Sequence, residues 1–170
     1  NVLLVEQPNG HFGDLIVRQF LFESFYVLQL AALAACSDAR LAEIAARGVK
    51  EIRYHLRHVT QWLLRLGDGT AESHRRVQQS LDDLWRYTGE LFASDPVDSV
   101  FQREWNGPDL AALEKPWRER VGRAVREATL ELPAGEWMAS GGKAGRHTEH
   151  LGYLIAEMQF MQRTYPGARW

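Results

Sequence analysis

The sequence predicts an all-α protein. Apolar residues recur at three- and four-residue intervals along five stretches, Gly and Pro punctuate the gaps between them, and no run of useful length alternates apolar with polar residues. With 170 residues, 45% of them hydrophobic, the chain has enough apolar material for one core and is expected to form a single helical domain over 1–170. A net charge of −2 gives no overall field that would gather nucleic acid or an anionic membrane surface.

After the turn-forming Pro8-Asn9-Gly10, Asp14 is an expected N-cap for a first helix near 14–36, apolar around nearly its whole circumference. Arg18, Gln19, Glu23 and Gln29 interrupt that run, which suits a bundle core better than a membrane span. Asp38 caps a second helix near 38–66, with Leu41, Ala45, Ile52, Leu56, Val59 and Leu63 in one stripe. Gly67-Asp68-Gly69 ends it, and a third helix near 70–92 opens at Thr70 and stops before Pro96. Ser94 to Lys115 loses periodicity and reads as a connection with at most a short helical turn. Pro116 suits the first turn of a fourth helix near 116–132, and Thr148 caps a last helix near 148–165 that buries Leu151, Leu154, Ile155, Met158, Met161 and Tyr165.

The single cysteine, Cys36, forms no internal disulfide and fits a reducing, cytoplasmic setting; Asn1 to Gly10 lacks the pattern of a signal peptide. Bundles of amphipathic helices can hold two irons when each of two helices gives a Glu and each of two others a Glu-x-x-His pair, a spacing that puts both ligands on one face. No Glu in the chain has a His three positions later. Glu51 and His55 are four apart, and Glu23 on the apolar first helix can lie opposite them, which is at most part of one metal site. The favoured reading of Glu23 is a structural carboxylate paired with His55, Arg53 or Arg57.

Gly141, Gly142, Lys143, Gly145, Arg146, His147 and His150 gather glycines, cations and a helix start into one loop. Such a loop can hold a phosphate, although no strand precedes it and no Walker spacing is present; the favoured alternative is a tight loop that lets a partner's backbone approach. Arg118, Arg120, Arg123 and Arg126 form a basic flank interleaved with Glu119 and Glu127, read mainly as a solvated face, with guidance of a ligand phosphate at a subunit boundary as the alternative. No catalytic residue is assigned.

The stretches Asn1–Gly10, Lys50–Arg57, Arg65–Thr70, Leu84–Phe92, Gly141–Gly152 and Pro166–Trp170 together resemble the C subunits of bacterial phenylacetyl-CoA 1,2-epoxidases. The resemblance implies a ferritin-like antiparallel helical bundle and a stable complex with a homologous A subunit that carries the di-iron centre and binds the CoA ester. It implies no cofactor in this subunit. Such proteins extend upstream of Asn1, so the chain is expected to lack the first helices of the bundle. The apolar first helix would then need cover from a dimer mate, retained residues or a rearranged bundle. The expected function is a structural, non-catalytic subunit in phenylacetate catabolism. The alternative is a metal-binding ferritin-like oxidoreductase using Glu23, Glu51 and His55.

Overall fold

The computed structural model describes residues 1–135 and 137–169, which leaves Trp170, the end of the last resembling stretch, outside the described residues. Seven α-helices form there, with no β-strand: α1 Phe12–Leu33, α2 Ala39–Gly67, α3 Ala71–Trp85, α4 Pro96–Trp105, α5 Glu114–Glu127, α6 Glu149–Met158 and α7 Phe160–Thr164.

The apolar circumference of α1 follows from its place. Helices α2, α3 and α5 pack around it, and Ile16, Val17, Phe20, Leu21, Phe25 and Leu30 are buried in the contact. Although α1 is long and apolar enough to cross a bilayer, its apolar sides are spent on neighbouring helices. The exposed patch expected on this helix is therefore largely absent, because α2, α3 and α5 close over it.

One tryptophan fixes the far side of the core. Trp117 of α5 has no solvent exposure, and its indole N–H donates to the Leu21 carbonyl of α1 at 3.0 Å. Its ring meets Phe92 at 5.2 Å and Trp85 at 5.5 Å between centroids, and Phe92 in turn meets Phe25 edge-on at 5.6 Å. A smaller cluster of Leu30, Ala45 and Val49 closes the other end of the α1–α2 hairpin.

Several expected boundaries change for local reasons. The N-cap of α1 is His11, not Asp14; Asp14 is the third helical residue and completes a reciprocal capping box by accepting from the His11 backbone at 2.9 Å. Helix α3 ends at Trp85, and Leu91 and Phe92 reach the core from a separate 3-10 turn, Gly89–Phe92, so their burial alone mimics a continuing helix. Pro96 starts a helix instead of stopping one: Asp95 caps α4, Pro96 takes its first position, and Asp98 closes the box. Helix α4 buries none of its residues, so its short apolar stripe of Val97, Val100, Phe101 and Trp105 serves no core. Helix α5 ends at Glu127, short of the expected 132, and Thr129 follows with φ of 60°. The last expected helix breaks at Gln159 into α6 and α7, and its supposed buried face is open: Leu154, Ile155, Met158, Met161 and Tyr165 are all exposed.

The close approach of α2 to the end of α5 depends on Gly67. A Cβ there would lie 2.2 Å from the Ala128 carbonyl oxygen, and that atom is backbone and cannot swing away. Gly67→Ala is expected to destabilise the fold by about 1–3 kcal/mol, read as a lowered urea midpoint with unchanged slope. A midpoint equal to that of the unsubstituted chain would contradict the packing.

Candidate functional site

The glycine loop does bind an anion, and the anion belongs to the chain. Gly141, at φ of 131°, and Gly145, at φ of 81°, flank a 3-10 turn over Gly142–Ala144. This bend turns backbone N–H groups inward toward Glu90, which is 4% exposed. Its Oε1 accepts from Gly141 N at 2.8 Å and Lys143 N at 3.3 Å, while Oε2 accepts from Leu3 N at 2.9 Å. A Cβ on Gly142 would stand 2.6 Å from the Asn1 carbonyl and 3.0 Å from Glu90 Oε2, so that position must be glycine for three segments to meet. The phosphate reading of the loop loses ground on occupancy: the Gly141 and Lys143 backbone donors, the Lys143 ammonium and His147 already have carboxylate or carbonyl partners. The glycines do admit a close backbone approach, but by the chain's own amino terminus and not by a partner's backbone.

A second buried carboxylate completes the clasp. Glu6, at the end of the 3-10 turn Leu3–Glu6, accepts from His147 Nδ1 at 2.7 Å, from Thr148 N and Thr148 Oγ1 at 2.8 Å each, and from Asn1 Nδ2 at 3.0 Å. Thr148 occupies the N-cap position of α6, but its hydroxyl serves Glu6 and makes no cap hydrogen bond. Burial pushes the Glu6 carboxyl up, yet the hydrogen bonds from Thr148, His147 and Asn1 together outweigh it and hold its pKa below the ordinary value. Lys143 is equally engaged: Nζ donates to the Ala93 carbonyl at 2.9 Å, pairs with Asp98, and lies 3.8 Å from Asp95. Arg146 contributes its backbone N–H to the Gly141 carbonyl at 2.8 Å. His150 lies apart from His147's carboxylate contact, along a shallow groove shared with Gln7, Arg18 and Tyr153.

Sequence reasoning missed Glu6 and Glu90. The available signal was a carboxylate inside an otherwise apolar run, Leu3-Leu-Val-Glu6 and Glu90-Leu-Phe92, because such a group must find donors when buried.

The Glu23 candidate is half of a simple pair. Its Oε1 lies 3.6 Å from His55 Nδ1, across the α1–α2 contact, while Oε2 is buried with no hydrogen-bond partner. Burial pushes the Glu23 carboxyl up, with His55 opposing the shift. Glu51 stands exposed on α2 and does not join them. Among the described residues no group of three His, Cys, Asp or Glu side chains comes together, so this donor set does not fit an iron site. Arg53 and Arg57, offered as partners for Glu23, do not contact it and line a separate groove with Arg120. On the basic flank, Arg118 pairs with Glu114 at 2.7 Å.

Known proteins share this sequence to different degrees. A family model described as phenylacetic acid catabolic protein matches residues 1–170. The chain is 45% identical to the C subunit of the 1,2-phenylacetyl-CoA epoxidase of Escherichia coli K12, across 100% of this chain and 68% of that protein. It is 26% identical to ribonuclease 3 of Delftia acidovorans, across 85% of this chain and 71% of that protein, a level that assigns no family.

The Glu6 clasp has a definite pH signature. Because its folded pKa lies below the unfolded value near 4.5, its contribution is fully present above that value and is lost as pH falls through the folded pKa. Urea midpoints of the unsubstituted chain and Glu6→Gln should differ most at neutral pH and converge in acid. A gap that stays constant from pH 7 to pH 3 would contradict the charged clasp.

Proposed function

The chain belongs to the phenylacetic acid catabolic protein family, and from that premise we propose that it is a subunit of a phenylacetyl-CoA epoxidase, acting as the structural partner of a subunit that bears the di-iron centre. It does no chemistry itself, holds no cofactor, and works in the cytoplasm.

The observation that carries this reading is a contrast within one molecule. Several of the polar side chains that sequence marked for chemistry are spent internally: His147 on Glu6, Lys143 on Asp98, and Glu23 on His55. The apolar residues at the carboxy-terminal end are spent on nothing. Tyr153 is 74% exposed and Met158 70%, and Ile155, Phe160 and Met161 are open beside them. Helix α6 packs chiefly on the 3-10 turn Leu3–Glu6 and on α7, so this arm stands on the clasp and presents an apolar surface outward. Contiguous exposed apolar surface of this kind marks a protein contact. Since the Escherichia coli relative is itself one subunit of an epoxidase, the occupant favoured here is another subunit of the same complex.

The reading as an oxidoreductase with metal on Glu23, Glu51 and His55 is the weaker one, because Glu51 would have to leave its exposed position on α2 to join the pair. A homodimer through the arm is a third outcome of the same test.

Co-expression with the di-iron subunit should yield a stoichiometric complex. The double substitution Ile155→Asp and Met158→Asp should weaken it at least 100-fold, with the helical circular dichroism retained, given about 2 kcal/mol for each apolar anchor lost. Undiminished binding by the double variant would overturn the docking surface. Stoichiometric iron and epoxidation by this chain alone would overturn the structural role.

A further inference from the structure

Some arginines on this protein find a local carboxylate. Arg47 pairs with Glu43, Arg75 and Arg76 with Glu72, Arg103 with Glu104 and Arg118 with Glu114. Three that face one another do not. Arg53 and Arg57 of α2 and Arg120 of α5 rim a groove of about 330 Å³ over α1, whose apolar lining is Val27, Leu28, Ala31 and Leu56. No acidic residue lines it, and among the described residues none of the three guanidiniums has a carboxylate within ion-pair distance.

Two of these cations, Arg120 and Arg57, are also held in place. Arg120 is partly buried, and one of its N–H groups donates to the Ser24 carbonyl at 3.0 Å, which anchors the side chain and leaves its other donors free to turn toward the groove. The Arg57 guanidinium lies 5.6 Å from the centre of the Tyr54 ring, a cation–π contact that orients it. Arg53 and Arg57 are one helical turn apart and so project from the same side of α2. Burial, reinforced by the charge of Arg123, lowers the pKa of Arg120, as expected where positive charge gathers without compensation.

Uncompensated cations held over an apolar floor gain most from a compact, multiply charged anion that carries an organic portion. Guanidinium forks match phosphoryl oxygens in geometry, and a groove of this size lies at the lower end of small-ligand sites. An acidic helix would offer its carboxylates in one line along its own axis; that suits Arg53 and Arg57 but leaves Arg120, on a different helix, without a partner.

We propose that this groove binds a phosphate- or diphosphate-bearing small molecule, with its phosphoryl oxygens on Arg53, Arg57 and Arg120 and its organic portion on Val27, Leu28, Ala31 and Leu56. The site is separate from the glycine loop, and it does not depend on the chain's role as a subunit.

Calorimetric titration of the full chain with inorganic pyrophosphate and with adenosine diphosphate tests it. Saturable one-to-one binding of both is expected, weakening as salt is raised, with the diphosphate nucleoside at least as tight as pyrophosphate. Arg53→Gln and Arg57→Gln, both at exposed positions where the fold is not at risk, should each weaken binding about tenfold, while Arg75→Gln should leave it unchanged. The absence of saturable binding, or equal affinity in Arg53→Gln and Arg57→Gln, would overturn the site. Tighter binding of a hexaglutamate peptide than of pyrophosphate would overturn it in favour of an acidic protein partner.

Discussion

The carboxylate of Glu90 is the point on which the carboxy-terminal half of this protein is organised. It is buried, and a buried carboxylate persists only if donors replace the water it has lost. Those donors come from Leu3, 87 residues away in sequence, and from Gly141 and Lys143 across the loop. One side chain thereby joins the amino terminus, the 3-10 turn that delivers Phe92 to the core, and the loop that launches α6. Glu6 repeats the device one step further out, taking the Thr148 N–H and hydroxyl and the His147 ring. The glycines matter because they allow backbone to reach these carboxylates, and Gly142 leaves no room for a side chain.

The clasp shows how a sequence that advertises chemistry can instead build the structure that the proposed role requires. Loop glycines, a lysine and two histidines are the ingredients of a phosphate or metal site, but here the glycines, Lys143 and His147 are engaged at the base of a helical arm. That arm has an open apolar face, and the clasp ties down its base. In a ferritin-like helical bundle, chemistry is performed where carboxylates and imidazoles converge between helices. Between α1 and α2 this chain holds a Glu23–His55 pair with one carboxylate oxygen left unpartnered, and among the described residues no third ligand joins them.

What could be read from sequence divides along physical lines. The helices α1, α2 and α3 were legible because each buries a stripe and each of α2 and α3 opens on a side-chain cap, Asp38 and Thr70. Helix α4 was missed because Pro96 reads as a stop as readily as a start, although Asp95 and Asp98 mark a capping box and Val97, Val100, Phe101 and Trp105 recur at helical spacing. The stripe of α6 was visible, but a stripe reports that a face is apolar and not which surface it meets, so its burial within this chain was a wrong inference. The anion-cradling character of the loop was legible from glycine content. The identity of the anion was not, since Glu90 lies 51 residues before Gly141 and Glu6 lies 142 before Thr148. Nor could spacing show that Arg53 and Arg57 would meet Arg120 across α1.

The clasp is tested most directly by native-state hydrogen exchange at the backbone amides of Leu3, Gly141 and Thr148. If buried carboxylates hold them, these loop amides exchange as slowly as helical amides in the core, and Glu90→Ala releases Leu3 and Gly141 together. Exchange of all three at the rate of an open loop in the unsubstituted protein would contradict the account.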